Sequence, residues 1–199
     1  NYIPEKRRQV NDLLGKMKRQ IKDNAVNHTA TKHYINNYGY IPLWVLVKVL
    51  SFGIVSELFS ILKKEDQYDI VELYDLDVNV FTNYLSSLSN YRNLCAHEDI
   101  LYNNRTQKSI LDTKYHRLLN IPIMDNEYIY GKNDLFSVVI MMKSMIKKDE
   151  FDLFEKEISD LIDELDNKLK SIEINKILDC MGFPKNWKEL KDIDKKEIF

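Results

Sequence analysis

At 199 residues, with 44% apolar and 30% charged side chains, the chain is long enough to bury one core and too short for two independent enzymatic domains. Its composition excludes a disordered or fibrous protein. Five glycines and four prolines leave long stretches free of helix breakers, and a formal net charge of -2 excludes a surface coated in basic side chains, so contact with nucleic acid has to come from a local patch.

Pro4 suits the first turn of a helix, and Val10, Leu13, Leu14, Met17 and Ile21 then repeat at helical spacing to about residue 25. The outer side of that helix carries Lys6, Arg7, Arg8, Lys16, Lys18, Arg19 and Lys22. This reads as a solvated face, with phosphate contact as the alternative. His28 and His33 follow, with Tyr34, Tyr38 and Tyr40. Such clusters usually anchor a helix to a core, although they can also stack bases. A second helix is expected from Pro42 through Leu62; it is apolar nearly all round and so belongs at the centre of the core.

Residues 66–75 suggest a short helix, and a third long helix is expected from about Val78 to Glu98. Its stripe of Phe81, Leu85, Leu88, Arg92 and Cys95 sets an arginine in an apolar row. Residues 99–132 lack a clear period and read as a long polar loop with room for a small hairpin around Tyr128–Lys132. In that loop His116, beside Lys114 and Arg117, is either a phosphate contact or part of a solvated segment.

Asn133 can cap the next helix, which carries Leu135, Phe136, Val138, Val139, Met142 and Ile146, and Met141, Met142 and Met145 read as core packing. Another helix begins near Asp149 and repeats apolar residues to Ile172, while Asp160, Asp163, Glu164 and Asp166 form a solvated face rather than a metal site. A short helix ends at Gly182, ahead of Pro184. The fold class expected is all-α: a four- or five-helix bundle forming one domain over residues 1–199.

Cys95 and Cys180 fall outside any zinc spacing and read as reduced, half-buried thiols. No P-loop, GxGxxG or nucleophile elbow occurs, and neither cofactor nor metal is implied. No apolar run approaches the roughly 18 residues of a bilayer span and no signal peptide opens the chain, so a cytoplasmic protein without a membrane partner is expected.

The segment Tyr91 to His97 carries the most chemistry. On an ideal helix Arg92 and His97 point about 140 degrees apart, yet Arg92 neighbours Ala96 and Asn93 neighbours His97 at i+4, so the four make one patch. Histidine moves protons near neutral pH, and the arginine fork stabilises charge on phosphate oxygens. Such a pair suits metal-free RNA cleavage by a ribose 2′-hydroxyl, with Asn93 orienting either the histidine or the phosphate. The alternative is structural: a buried ion pair for Arg92 and a helix-end role for His97.

The run R-N-x-C-A-H from Arg92 to His97, followed by Leu101, Tyr102, Asn103 and Arg105, resembles the signature of the Abi-like proteins, the AbiD and AbiF group of bacterial phage defence. Ile41 to Val47, continuing to Leu50-Ser51-Phe52-Gly53, and Met181 to Trp187 agree with it, so the resemblance spans residues 41–187. That group is placed in the HEPN superfamily. The resemblance implies a HEPN-like helical bundle that homodimerises through the motif-bearing helix, composing one endoribonuclease site from two motifs without metal.

It further implies Arg92 and His97 as the catalytic pair with Asn93 beside them. Tyr102, Asn103, Arg105 and Lys108 in the following loop are candidate RNA contacts, Arg105 and Lys108 by their charge, with a solvated loop as the alternative. The RNA is then a substrate; the alternative is a HEPN module that binds a noncoding or guide RNA without cutting it, or a dimerising scaffold. An antitoxin partner is compatible with these residues. Lys48 stands where an acidic residue is expected, and Glu98 and Asp99 place two carboxylates beside the motif, where they oppose a phosphate. Relatives extend further at the N-terminus, so a native start upstream of Asn1 is expected.

Overall fold

A computed structural model describes residues 2–194, whose regular structure is helical apart from one two-stranded hairpin. The chain divides into two compact units, residues 1–89 and 90–199.

In the first unit a 3-10 turn at Pro4–Lys6 leads into α1 (Arg7–Asn24), as the proline and the apolar period require. Val10, Leu13 and Met17 of α1 pack on Leu50, Ile54 and Ile61 to form the core. The apolar segment after Pro42 is not the single helix expected. It forms α3 (Leu43–Leu46) and, after a break, α4 (Phe52–Ile61). Ser51 makes the break: its hydroxyl accepts the Ile54 N–H at 3.4 Å and starts a new helix. Nor is the whole segment central, because Leu43, Trp44 and Val47 are exposed while Val45, Leu50 and Ile54 are buried.

A helix with no apolar period precedes this break. α2 (Thr29–Tyr38) is held at its start by His28, whose Nδ1 accepts the Thr31 N–H at 3.3 Å, and is closed by Gly39 at a φ of 70°. α5 (Lys64–Glu72) and α6 (Val78–Ala96) complete the helices that begin in this unit. Gln67 of α5 donates to the Phe59 carbonyl at 2.8 Å, and Phe59 meets Phe81 edge to face at 4.8 Å.

The buried row of α6 is Val78, Phe81, Tyr84, Leu85 and Tyr91. The expected stripe therefore holds through Leu85 and then turns away: Arg92 and Cys95 are exposed, because Tyr91 and not Arg92 continues the inward face. Both cysteines are free and exposed, not half-buried. Each sits near the end of a helix, where few neighbours remain to cover it.

In the second unit the chain after α6 runs as an irregular, largely exposed loop to residue 109 and then folds inward. Ile110, Tyr115, Leu119 and Ile121 are buried, and residues Lys114–Leu118 form α7. The hairpin is real but lies a few residues earlier than expected, pairing β1 (Ile123–Met124) with β2 (Glu127–Tyr128). Asp125 and Asn126 turn it, with φ of 51° and 66°, the two positive angles that a type I′ turn requires.

α8 (Leu135–Met145) is capped by Asp134 and not by Asn133, one residue later than expected; the Asp134 carboxylate accepts the Ser137 N–H at 3.1 Å. Met141 is fully buried in the core, as read. α9 (Lys148–Lys168) ends before Leu169, and the acidic residues at 160, 163, 164 and 166 line its exposed side. α10 (Ile174–Met181) ends at Gly182, and a 3-10 turn follows at Trp187–Asp192. Phe183 links Phe136 at 5.1 Å to Trp187 at 5.2 Å, so the Met181–Trp187 stretch plugs the core of this unit. Among the described residues no helix is long and apolar enough to cross a membrane.

Candidate functional site

The end of α6 is a Schellman-type cap. The Asp99 N–H reaches the Leu94 carbonyl at 3.1 Å and the Glu98 N–H reaches Cys95 at 3.4 Å, with Glu98 in the left-handed region at a φ of 56°. His97 is the residue at which the helix terminates; its N–H bonds back to the Asn93 carbonyl at 3.0 Å. The structural alternative, a buried ion pair for Arg92, is not what the structure holds. The guanidinium is exposed, and among the described residues its side chain is tied only to Asn93, with Nη1 donating to Oδ1 at 3.3 Å. Among the described residues the Asn93 side chain bonds to the arginine and not to the histidine.

Arg92, Asn93 and His97 are all exposed. Among the described residues none forms an ion pair with a carboxylate. Such an arrangement leaves an arginine fork and an imidazole free to meet a phosphate diester.

What holds this end of α6 still is a residue that the sequence reading passed over. Tyr91 is buried, and its hydroxyl lies 2.7 Å from the Asp134 carbonyl and 3.0 Å from that of Asn133. Burial pushes its hydroxyl above the usual tyrosine range, so it stays a proton donor. The segment carrying Tyr102, Asn103, Arg105 and Lys108 is stitched to the same turn: Thr106 N–H bonds to the Asn133 carbonyl at 2.8 Å and Ile110 N–H to the Lys132 carbonyl at 2.7 Å. Those four candidates are exposed.

Arg105 donates to the Asn104 carbonyl at 3.4 Å, and its charge favours the ionised forms of Asp134 and the Tyr91 hydroxyl. No contact among the described residues ties Tyr102, Asn103 or Lys108 to Arg92 or His97.

Below the site lies a buried polar knot. Asp134 is 1% exposed and accepts the N–H groups of Gly131, at 2.9 Å, and of Ser137. Burial nevertheless raises its carboxyl to about 6, against the opposing pull of those N–H groups and of Arg105. His116 is fully buried and belongs to neither of the roles expected for it, because the segment around it folds inward. Its Nε2 donates to the Gly131 carbonyl at 2.9 Å, its Nδ1 accepts the Thr113 N–H at 3.1 Å, and the ring stacks on Tyr128 at 4.9 Å. Burial holds it below the usual histidine range, so it is neutral and occupied at both nitrogens.

Gly182 closes the knot at a φ of 79°, where any Cβ would lie 2.1 Å from the Asp134 Cγ. A separate cleft of about 330 Å³ in the same unit lies among Leu119, Pro122, Ile129, Leu178 and Pro184. At its rim the Tyr130 hydroxyl donates to the Asp179 carboxylate, a bond that helps raise the tyrosine to about 12. Tyr130 and Asp179 are too far apart in sequence for any local pattern to announce them.

A model of the Abi-like protein family matches residues 1–103, a range that contains Ile41–Gly53 and Arg92–Asn103 but not Met181–Trp187. No curated protein and no solved structure matches the chain. With more than half of its length matched, and with the helix end that presents Arg92, Asn93 and His97 inside the match, this chain belongs to the Abi-like family, the family of abortive-infection phage defence.

Proposed function

We propose that this chain is a metal-independent endoribonuclease of HEPN type, acting in phage defence as a homodimer whose site is composed from two copies of the Arg92–His97 motif. The observation that carries the reading is the exposure of Arg92, Asn93 and His97 together at the pinned end of α6, without an acidic partner among the described residues. In the reaction a ribose 2′-hydroxyl attacks the adjacent phosphorus. His97 moves the proton, either from that hydroxyl or to the departing 5′-oxygen, and Arg92, steadied by Asn93, stabilises the charge on the equatorial oxygens. The products are a 2′,3′-cyclic phosphate and a 5′-hydroxyl.

Glu98 and Asp99, exposed beside His97, favour a second reading in which the same surface binds RNA without cutting it, because two carboxylates repel the phosphate. Purified protein incubated with labelled RNA in excess EDTA separates the two. Cleavage to cyclic-phosphate ends by wild type, lost in His97→Ala and Arg92→Ala variants that remain folded, supports the nuclease. Intact RNA in all three lanes with equal retention of RNA favours the binding module.

A further inference from the structure

The aromatic cluster after α1 was expected to anchor a helix to the core, and it does not. Tyr38 and Tyr40 are each 59% exposed and Trp44 is 56% exposed. The rings touch one another instead: Tyr34 meets Tyr38 at 5.5 Å, Tyr40 at 6.4 Å and Trp44 edge to face at 5.6 Å, and His33 lies against both Tyr34 and Tyr38. Lys48 Nζ sits 5.6 Å from the centre of the Trp44 ring. Holding several large rings in water is costly unless something covers them.

The charge around the cluster says what covers it. Residues 24–56 contain no aspartate or glutamate, in a chain where 31 of 199 residues are acidic. Within that run stand exposed Lys32, His33 and Lys48. An interface with another protein has no need to exclude carboxylates over so long a stretch, whereas a surface that meets a polyanion does. Rings that offer π-faces beside cations, with amide groups at Asn36 and Asn37, are what unpaired bases and their phosphates require.

We infer that His33, Tyr34, Tyr38, Tyr40 and Trp44 form a stacking platform for single-stranded RNA, separate from the Arg92–His97 motif and independent of its catalysis. The platform shares with the preceding reading only the nature of the ligand, and no residue.

The test uses the full chain in its His97→Ala form, in EDTA, with a 12-nucleotide single-stranded RNA and a duplex of the same length. Trp187 is 2% exposed, so intrinsic tryptophan fluorescence sensitive to added RNA reports Trp44. Quenching by the single strand is expected; affinity, read for every variant from the anisotropy of a fluorescein-labelled strand, is expected to be about tenfold lower in Trp44→Ala and in Tyr38→Ala/Tyr40→Ala, and retained in Trp44→Phe and Tyr38→Phe/Tyr40→Phe.

Unchanged affinity in the alanine variants overturns the platform, as does equal binding of the duplex. A change in oligomeric state by light scattering with no change in RNA affinity also overturns it, since the face then joins two copies of the chain. Cleavage scored in parallel with His97 intact keeps the outcomes apart: a wild-type chain that never cuts RNA while its His97→Ala form binds through the platform defeats the nuclease alone, and one that cuts while Trp44→Ala leaves RNA affinity unchanged defeats the platform alone.

Discussion

His97 and His116 belong to the same unit, and the sequence offers each as a candidate to face a phosphate, His97 within the R-N-x-C-A-H run and His116 beside Lys114 and Arg117. His116 is dry, stacked on Tyr128 and bonded through both ring nitrogens, so its proton has nowhere to go. His97 ends a helix in water, and among the described residues its ring has no hydrogen-bond partner. What qualifies a histidine for chemistry is therefore not its type or its basic neighbours but whether the fold has already used its two nitrogens.

Exchanging the two histidines for alanine tests that contrast most severely. Under the proposed reading His97→Ala lowers RNA cleavage by about 10²–10⁴-fold, while its stability in urea stays within about 0.5 kcal/mol of wild type. His116→Ala should do the reverse, removing about 2–4 kcal/mol by stranding the Gly131 carbonyl and opening a cavity. A similar loss of stability in both variants would break the comparison.

Gly182→Ala probes the knot from its other side. The added methyl would collide with Asp134 at a backbone angle that disfavours it, and a loss of about 3 kcal/mol is expected by thermal unfolding.

Acid sharpens the contrast within the knot. Burial depresses His116, so the folded ring binds protons less readily than the unfolded one; its stabilising contribution is whole above about 6.5 and is lost as pH falls. Asp134 runs the other way. Its carboxyl is raised to about 6 from 3.8, so its contribution is whole below 3.8 and is lost as pH rises through about 6. In wild type the two partly cancel between pH 7 and 5. Asp134→Asn leaves the histidine alone, and its urea midpoint should fall more steeply over that interval, by something on the order of 1 kcal/mol.

The smallest effect concerns the exposed tip. Glu98→Gly relieves a left-handed residue at the cap of α6 and should stabilise the chain by about 0.5–1 kcal/mol. It also removes a carboxylate beside the proposed site, so RNA cleavage should be unchanged or faster. Slower cleavage would assign Glu98 a part in the reaction.

Much of the helical frame was legible because apolar side chains recur with the helical period: α1, α8 and the first three turns of α6 follow from their buried faces. α2 was not legible, since Thr31 is its only buried side chain and a cap supplied by His28 leaves no familiar motif. The break at Ser51 was hidden by an apolar run that looks continuous whether or not a hydroxyl starts a second helix within it. The Arg92–His97 patch could be found from residue types and order. Its anchor could not, because Tyr91 works through carbonyls more than forty residues away in the chain, and hydrogen bonds to backbone leave no trace in the identity of the residues that accept them.

The Tyr91 hydroxyl has one proton and two carbonyls within reach, so it can hand its bond from one to the other without letting go of the turn. The last turn of α6 consequently cannot fray as free helix ends do, and the amides of residues 92–96 should exchange with deuterium at rates typical of a core although their side chains stand in water. Under the proposed reading, an arginine and a histidine carried on so slow a backbone would meet the RNA already in position, with the entropy of ordering that backbone spent during folding.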